Sequence, residues 1–438
     1  MPTYERLKGF RDLYAPEMAV RREVTDTVES VARRYGFREI DTPRLEPAAM
    51  WTDKSGDDIV DELYAFEDHG GRHVTLAPEL TPTVARMYAA KAQELSKPVK
   101  WFSTRPFWRY EAVQQGRFRE FHQTNIDVFG SAEPEADAEV LATAADALTE
   151  LGLAADDFEF RVSHRDILGA LLRSFEGTVD ATAAIRAVDK SEKVDENEYL
   201  DLLHDAGLDY DRAREFDDLL AVDDPADLDE LADFAPDSED LAAAVDNLRS
   251  VLRAADDLGV GDHCDLSLRT ARGLDYYTGA VFECFDATGE VGRSVFGGGR
   301  YDDLIEAFGG RPTPAVGVAP GHAPLGLLLE RAGVAPEATV ETDYYVLQVG
   351  DTRPTAARIA RDLRSRGHVV ESDVSGRSFG AQLEYADSID ADTVVVVGER
   401  DLEDGEVTVK EMASGDQTTA PVEAFPGDHD RPTYDDFA

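Results

Sequence analysis

The sequence is poor in cysteine, in lysine and in long apolar runs. Its 438 residues include two cysteines, Cys264 and Cys284, and eight lysines. The cysteines lack metal-ligand spacing, which indicates free thiols in a reducing cytosol rather than a disulfide framework or a zinc site. No apolar run approaches the ~20 residues of a membrane-spanning helix, and the N-terminal segment lacks the apolar core of a secretory signal. A cytoplasmic protein without a membrane segment is therefore expected.

Positive charge is scarce: 44 Lys and Arg stand against 90 Asp and Glu, a formal net charge of −46. The acids are spread along the whole chain, which indicates a surface adapted as a whole rather than an acidic arm. Such a surface repels itself at low salt, whereas molar salt, with a Debye length of roughly 3 Å, screens the repulsion. We therefore expect a protein of a salt-in halophile. The charge neither supports nor excludes RNA as a partner, because counterion release adds little affinity in a salt-rich cell.

The length of the chain predicts two to four domains. A hydrophobic content of 42% is enough to build their cores. Strand and helix patterns indicate an α+β domain made of antiparallel sheet and helices, interrupted by a helical insertion and followed by an α/β unit. The predicted boundaries are 1–165 for the first part of the α+β domain, 166–258 for the insertion, 259–332 for the second part, 343–425 for the α/β unit and 426–438 for an acidic tail.

The strongest group of polar residues lies in the stretch 99–130. Two β-like runs, Trp101–Tyr110 and Glu120–Phe129, flank a polar loop and predict a long antiparallel hairpin. Even spacing then gives shared strand faces to five side chains: Arg109 and Glu111 on the first strand, and Phe121, Gln123 and Asp127 on the second. Burying such a set without ligands costs free energy. The hairpin therefore predicts a binding site rather than a solvated sheet face.

The stretch RTARGLDYYTGAVFE at 269–283 places Arg272 close to Tyr276 and Tyr277. Its pattern predicts a turn that leads into a strand, with the two tyrosines on opposite faces. An arginine at the mouth of such a strand can meet an anionic ligand. Two core tyrosines beside a salt-bridged arginine remain the alternative, because strands favour aromatic residues in any case.

Two shorter stretches add further candidates. The sequence PELT at 78–81 precedes a helical pattern, so Thr81 is expected to be the N-cap, and Glu79 is placed to receive an ammonium group. Capping alone remains an alternative for Thr81. Three consecutive glycines at 297–299 predict a turn that a ligand can approach closely, with Tyr301 shortly after it.

Together these stretches resemble the histidyl-tRNA synthetases, a family of class II aminoacyl-tRNA synthetases. Residues 17–43, the hairpin and residues 312–330 resemble the three class II motifs, and RGLDYY and GGGRYD resemble two histidine-specific stretches. The α/β unit is similar to the anticodon-binding domain of this group. The resemblance implies a homodimer that activates L-histidine with ATP, accompanied by magnesium, and transfers histidine to the terminal adenosine of its tRNA.

The resemblance also implies roles for single residues. The α-phosphate and the histidine carboxylate are assigned to Arg109, the adenine amino group to Glu111, the pyrophosphate to Arg117 and the adenine ring to Phe121. Histidine-binding roles are implied for Glu79, Thr81, Arg109, Gln123, Asp127, Arg272, Tyr276, Tyr277 and Tyr301. Arg109 and Arg272 would neutralise the reacting phosphate, with Arg272 where other class II enzymes place a metal, so no protein-bound metal is expected. Of the two adjacent tyrosines, Tyr277 is expected to face the pocket.

The sequence departs from this family at the third motif. There a Glu-Arg pair usually precedes a leucine, and the arginine binds the ATP γ-phosphate, whereas this chain has Ala323 and Pro324 before Leu325. Three other cations are candidate replacements, and the sequence does not choose among them: Arg293, Arg300 and His322.

The missing arginine favours one alternative function, that of a catalytically inactive paralogue serving as the regulatory subunit of ATP phosphoribosyltransferase. The C-terminal α/β unit, usually absent from that paralogue, argues against it, and so do Arg109, Gln123 and Arg272, which are all present. A synthetase for another amino acid would leave RGLDYY and GGGRYD unexplained. The sequence therefore favours histidine–tRNA ligation.

Overall fold

The computed structural model describes residues 4–52, 57–175, 177–191, 194–271, 276–337 and 342–425. They divide into a first unit of residues 4–13 and 20–337 and a second unit of residues 14–19 and 342–425. The predicted site residue Arg272 and the predicted tail 426–438 lie outside the described residues. Within the described ranges, no helix combines the length and the apolar composition needed to cross a membrane.

The described part of the first unit is organised around two sheets. Their strands are β1 Arg38–Glu39, β2 Leu45–Pro47, β3 Tyr64–Glu67, β4 His73–Leu76, β5 Val99–Trp108, β6 Glu120–Phe129, β7 Phe158–His164, β8 Cys264–Leu266, β9 Ala280–Asp286, β10 Phe296–Arg300 and β11 Ala315–Val318. The larger sheet has eight strands in the order β1-β5-β6-β11-β10-β9-β7-β8. Its central pairs are antiparallel and its two terminal pairs are parallel. The second sheet has the order β2-β4-β3.

Helices surround these sheets and fill the predicted insertion. Their bounds are α1 Ala15–Arg34, α2 Ala49–Thr52, α3 Asp57–Asp61, α4 Thr81–Lys91, α5 Pro134–Glu150, α6 Arg165–Ser174, α7 Ala181–Lys190, α8 Glu196–Asp205, α9 Tyr210–Leu219, α10 Asp229–Phe234, α11 Glu239–Asp257, α12 Leu304–Ala307 and α13 His322–Ala332. Leu241 and Val245 of α11 belong to the same buried cluster as Phe160 of β7. The insertion therefore shares a core with the sheet, and its exact boundaries stay predictions.

Helix α1 is the first element of the stretch 17–43, and its apolar residues recur at helical spacing. Val24, Val28 and Val31 lie on its buried face at helical spacing. Gly36 follows the helix with φ +83°, a conformation that favours glycine. The chain then enters β1, which pairs with β5 in parallel. A helix, a glycine and a strand thus follow one another in this stretch.

The three glycines at 297–299 lie inside strand β10, so the predicted turn is wrong. Strand β10 pairs with β9 on one side and β11 on the other. A Cβ atom on Gly298 would stand 2.1 Å from the Gly317 carbonyl oxygen and 2.6 Å from Cε2 of Phe282. Close packing within the sheet requires this glycine, and the packing partners come from distant parts of the chain.

The second unit alternates strands and helices as predicted. Its elements are β12 Thr342–Val349, α14 Arg353–Ser365, β13 Val370–Ser372, α15 Phe379–Ser388, β14 Ala391–Gly398, α16 Glu399–Glu403, β15 Glu406–Glu411 and β16 Gln417–Pro421. The sheet has the order β13-β12-β14-β15-β16, parallel among the first three strands and antiparallel among the last three. The predicted mixed α/β unit is confirmed.

Candidate active site

The β5–β6 hairpin positions several of the predicted site residues. Its strands pair from Val99 opposite Phe129 to Trp108 opposite Glu120. Arg109 and Glu111 lie beyond the end of β5, so the prediction that they share a strand face is wrong. The backbone N–H of Arg109 still donates to the Arg119 carbonyl oxygen at 3.0 Å, whereas the N–H of Tyr110 donates to the Glu62 carbonyl oxygen at 2.8 Å, outside the hairpin. Arg109 and Glu111 are consequently placed by a loop rather than by strand alternation.

Strand β6 carries Phe121, Gln123 and Asp127 on one face, as predicted. The ring centroid of Phe121 lies 6.0 Å from that of Phe107. The Gln123 side chain donates to Oδ1 of Asn125 at 2.8 Å. Asn125 lies between Gln123 and Asp127 at the same even spacing, so the alternation that predicts the shared face of these two residues also includes Asn125, which is not among the predicted site residues.

Four side chains from four separate stretches of the chain form a connected polar group. The Tyr276 hydroxyl donates to Glu79 Oε2 at 2.9 Å. The rings of Tyr276 and Tyr301 meet edge to face with centroids 6.1 Å apart. The Tyr301 hydroxyl donates to Asp127 Oδ1 at 2.6 Å. Glu79, Asp127 and Tyr301 are 4%, 3% and 2% exposed, and Tyr276 is half-buried. We refer to this set of four as the buried polar chain.

Burial sets the protonation of the buried polar chain. It raises the pKa of Asp127 to about 7, although the hydrogen bond from Tyr301 acts in the opposite direction. Burial, followed by the charge of Asp127, raises the pKa of Tyr301 well above its ordinary value. Burial and the charge of Glu79 do the same for Tyr276. Both tyrosines are therefore protonated donors at neutral pH, while Asp127 can exist in either form.

The two adjacent tyrosines precede strand β9, which begins at Ala280. Their ring centroids lie 4.9 Å apart with an interplanar angle of 50°. The prediction that Tyr276 and Tyr277 occupy opposite strand faces is therefore wrong, because neither residue is in the strand. Tyr277 is buried in the same cluster as Tyr301, and Tyr276 holds the hydrogen bond to Glu79.

Thr81 does not cap helix α4. The helix begins at Thr81 itself, the N-cap is Leu80, and no side chain caps the helix. The N-cap prediction is therefore wrong by one residue. Thr81 is buried, and its side chain acts on Tyr276, lowering the pKa of that tyrosine against the larger effect of burial. This contact, rather than capping, accounts for the hydroxyl at this position.

Arg109 is held next to the buried polar chain. Its Nε donates to the carbonyl oxygen of Pro78, the residue before Glu79, at 3.0 Å. Its guanidinium carbon lies 5.6 Å from the Phe121 ring centroid. A guanidinium has five N–H donors, so one backbone bond fixes its position and leaves donors for an anionic ligand.

The loop after β5 brings Arg117 to Glu111. Arg117 Nη1 lies 3.3 Å from Glu111 Oε2. A tight turn orients Arg117, because its backbone N–H donates to the Gln114 carbonyl oxygen at 2.9 Å. Gly116 within this turn has φ +70°. The two residues assigned by resemblance to adenine and pyrophosphate are thus in contact with each other.

Comparisons with known proteins point to one family. A family model described as histidyl-tRNA synthetase matches residues 9–323, and one described as anticodon binding domain matches residues 343–427. The histidine–tRNA ligase of Haloarcula marismortui is 68% identical and covers 99% of this chain and 100% of its own length. That of Halorubrum lacusprofundi is 70% identical with the same coverage. A histidyl-tRNA synthetase structure from Nostoc sp. PCC 7120 has the same fold, with TM-score 0.82, 24% identity, and coverage of 97% of this chain and 98% of its own.

These matches confirm the predicted fold class, an α+β catalytic domain followed by an anticodon-binding α/β domain. They extend through both units, and the regulatory-subunit alternative is not favoured. The family model spans the hairpin, the residues of the buried polar chain and the glycine strand β10. The chain belongs to the histidyl-tRNA synthetase family.

Proposed function

We propose that the buried polar chain is the histidine pocket of a histidine–tRNA ligase. As a member of its family, the chain is an aminoacyl-tRNA synthetase that joins histidine to tRNA. The reaction first forms histidyl-adenylate and pyrophosphate from L-histidine and ATP, and then transfers histidine to the 3′-terminal adenosine. The observation that carries the residue assignment is the hydrogen bond of Tyr276 to Glu79 and of Tyr301 to Asp127, with both tyrosines packed in the same cluster.

At one end of this pocket, Glu79 would accept the α-ammonium group of histidine. A carboxylate offers about four lone-pair sites, so Glu79 can accept from the Tyr276 hydroxyl and from an ammonium together. Thr81 adds a buried hydroxyl beside Tyr276. Arg109, held at the Pro78 carbonyl oxygen, would bind the histidine carboxylate through charge-assisted hydrogen bonds.

At the other end, Asp127 would accept an N–H of the imidazole ring. Its pKa of about 7 is close to the ordinary value of about 6.5 for imidazole, so the pair can share a proton near neutral pH. Tyr301 fixes the position of the carboxyl group, and Gln123 and Tyr277 would complete this end. A buried site built for an N–H donor rejects ligands that lack one by roughly 10⁴-fold or more. This is the physical basis that we propose for histidine selection.

The ATP site would lie over the β5–β6 hairpin. Phe121 would stack on the adenine ring, Glu111 would accept from the adenine amino group, and Arg117 would reach the pyrophosphate. An oxygen of the histidine carboxylate attacks the α-phosphorus in line, a new C–O–P linkage forms, and the bond to pyrophosphate breaks. Arg109 and Arg272 would neutralise the charge on the α-phosphate, so positioning and electrostatics dominate catalysis. Magnesium would arrive with ATP as part of that substrate.

We further propose a cytoplasmic homodimer adapted to high salt. The motif formed by α1, Gly36 and β1 at the edge of the large sheet supports the dimer, because class II synthetases associate through this motif. The net charge of −46 supports the salt adaptation. Light scattering at molar KCl should give about twice the chain mass of 48.0 kDa. A monomer at micromolar concentration would contradict the dimer.

Charging of tRNA tests the whole function. At molar KCl, the protein should transfer labelled histidine to haloarchaeal tRNA in an ATP-dependent reaction. A folded protein that binds histidine but charges no tRNA would support the regulatory alternative instead.

The same assay on Arg272→Ala should show no charging and no pyrophosphate exchange while the dimer persists. A near-normal rate for this variant would refute the role proposed for Arg272.

A further inference from the structure

The third class II motif of this chain lacks its usual arginine, because Pro324 occupies that position. The structure assigns the role to another residue: we propose that Arg293, on the connection between β9 and β10, binds the terminal phosphates of ATP in its place. This inference rests on the proposed function, since it concerns the same ATP site. Three observations support it. The alternative cations are engaged elsewhere, Arg293 and Pro324 approach the same loop glycine, and the buried Nε of Arg293 has no hydrogen-bond acceptor among the described residues.

Arg300 is engaged as a structural cation. It is 4% exposed and paired with the buried carboxylate of Asp137. It also donates to the carbonyl oxygens of Ser131 at 2.9 Å and Glu133 at 3.2 Å. Separating this buried ion pair would leave an uncompensated buried charge, which is strongly destabilising. Arg300 therefore anchors β10 to α5 and is not available to ATP.

His322 is half-buried, and its imidazole is uncharged. Its Nε2 lies 2.9 Å from Oγ1 of Thr124, within hydrogen-bonding distance. Burial, with smaller effects from His122 and Arg21, lowers the pKa of His322 to about 3. The imidazole is neutral at any pH at which the protein would work, so His322 cannot replace an arginine as a phosphate-binding cation.

Arg293 and the position that lost its arginine approach the same loop glycine. A Cβ atom built on Gly116 would stand 3.6 Å from Cα of Pro324 and 3.8 Å from Nη1 of Arg293. Pro324 and the Arg293 guanidinium therefore both lie within van der Waals reach of the space beside Gly116. Arg293 Nη1 also donates to the Gln115 carbonyl oxygen at 3.1 Å. The Arg293 side chain therefore reaches the ATP-site loop from a different strand connection.

The surroundings of Arg293 carry an excess of positive charge. Burial, followed by the charge of Arg117, lowers the pKa of Arg293, and Glu111 opposes this effect. Two guanidinium groups thus face one carboxylate, in a chain with about twice as many acids as bases. The buried Nε of Arg293 has no hydrogen-bond acceptor among the described residues. A phosphate oxygen would supply that acceptor and remove the repulsion between the two arginines.

The test compares ATP with AMP, because only ATP carries the terminal phosphates. Calorimetric binding of each nucleotide to Arg293→Gln at molar KCl should show ATP affinity reduced by roughly 10- to 100-fold, as expected for a hydrogen bond to a charged group. AMP affinity and the KM for histidine should be unchanged. Arg293→Lys keeps the charge but lacks the planar guanidinium fork, so its ATP affinity should lie between those of the unmodified protein and Arg293→Gln. Arg361→Gln, the same charge change at an exposed position of α14, is the matched control.

Unchanged ATP binding in Arg293→Gln would overturn the inference. Equal losses for ATP and AMP would overturn it as well, because they would indicate a general role in shaping the loop. Nucleotide binding needs no turnover, so these outcomes are separate from the proposed function. If the unmodified protein binds ATP but charges no tRNA, the proposed function fails while the role of Arg293 is still measured.

Discussion

Replacing Asp127 with asparagine should remove a pH-dependent contribution to the stability of the first unit. The amide oxygen of asparagine can still accept the hydrogen bond from Tyr301, so the substitution changes protonation with little change in shape. Burial raises the pKa of Asp127 from 3.8 in the unfolded chain to about 7 in the folded protein. The folded state therefore holds the Asp127 proton more tightly than the unfolded state does.

The sign and size of the effect follow from this pKa difference. The stabilisation from protonated Asp127 is fully present below pH 3.8 and is lost as the pH rises toward about 7. At about 1.4 kcal/mol per pH unit, the free energy of unfolding of the wild type should fall by about 2 kcal/mol relative to Asp127→Asn between about pH 5 and pH 7. Above pH 8 the difference between the two proteins should be constant.

Urea unfolding followed by tryptophan fluorescence would measure this difference. All three tryptophans, Trp51, Trp101 and Trp108, lie in the first unit, so the signal reports that unit. Both proteins would be unfolded at several pH values in the same molar KCl, and their free energies subtracted to cancel the titration of the other acids. A difference that stays constant from pH 5 to pH 8 would refute the reasoning about Asp127.

Two further predictions concern the pocket and the surface. Tyr276→Phe removes the hydroxyl that orients Glu79, so the KM for histidine in pyrophosphate exchange should rise about tenfold. The KM for ATP should not change. An equal rise in both KM values would contradict a histidine-specific role of Tyr276. Because salt screens the net charge of −46, the urea midpoint should rise steadily from about 0.1 M to about 3 M KCl. A midpoint independent of KCl would contradict the proposed salt adaptation.

The sequence predicted those features whose signal is local. Helix α1 and the β5–β6 hairpin were readable because their apolar periodicity lies within one stretch. The second unit was readable for the same reason. The even spacing along β6 also placed Phe121, Gln123 and Asp127 on one face.

Features that depend on distant partners could not be predicted from sequence. The Tyr301–Asp127 hydrogen bond joins residues 174 positions apart. The pairing of Arg300 with Asp137, 163 positions apart, distinguishes a structural arginine from a ligand-binding one. The glycines of β10 could not be assigned from sequence either, because a tight turn and a crowded strand both require glycine. The sheet topology shows that these glycines belong to a strand.

The central claim is that this pocket selects and activates histidine, and amino-acid-dependent ATP–pyrophosphate exchange tests it most directly. The unmodified protein, folded at molar KCl, would be assayed with each of the proteinogenic amino acids in turn. L-histidine should support exchange, and the other amino acids should give only background rates. Exchange supported equally well by another amino acid, or no exchange with histidine by correctly folded protein, would contradict it.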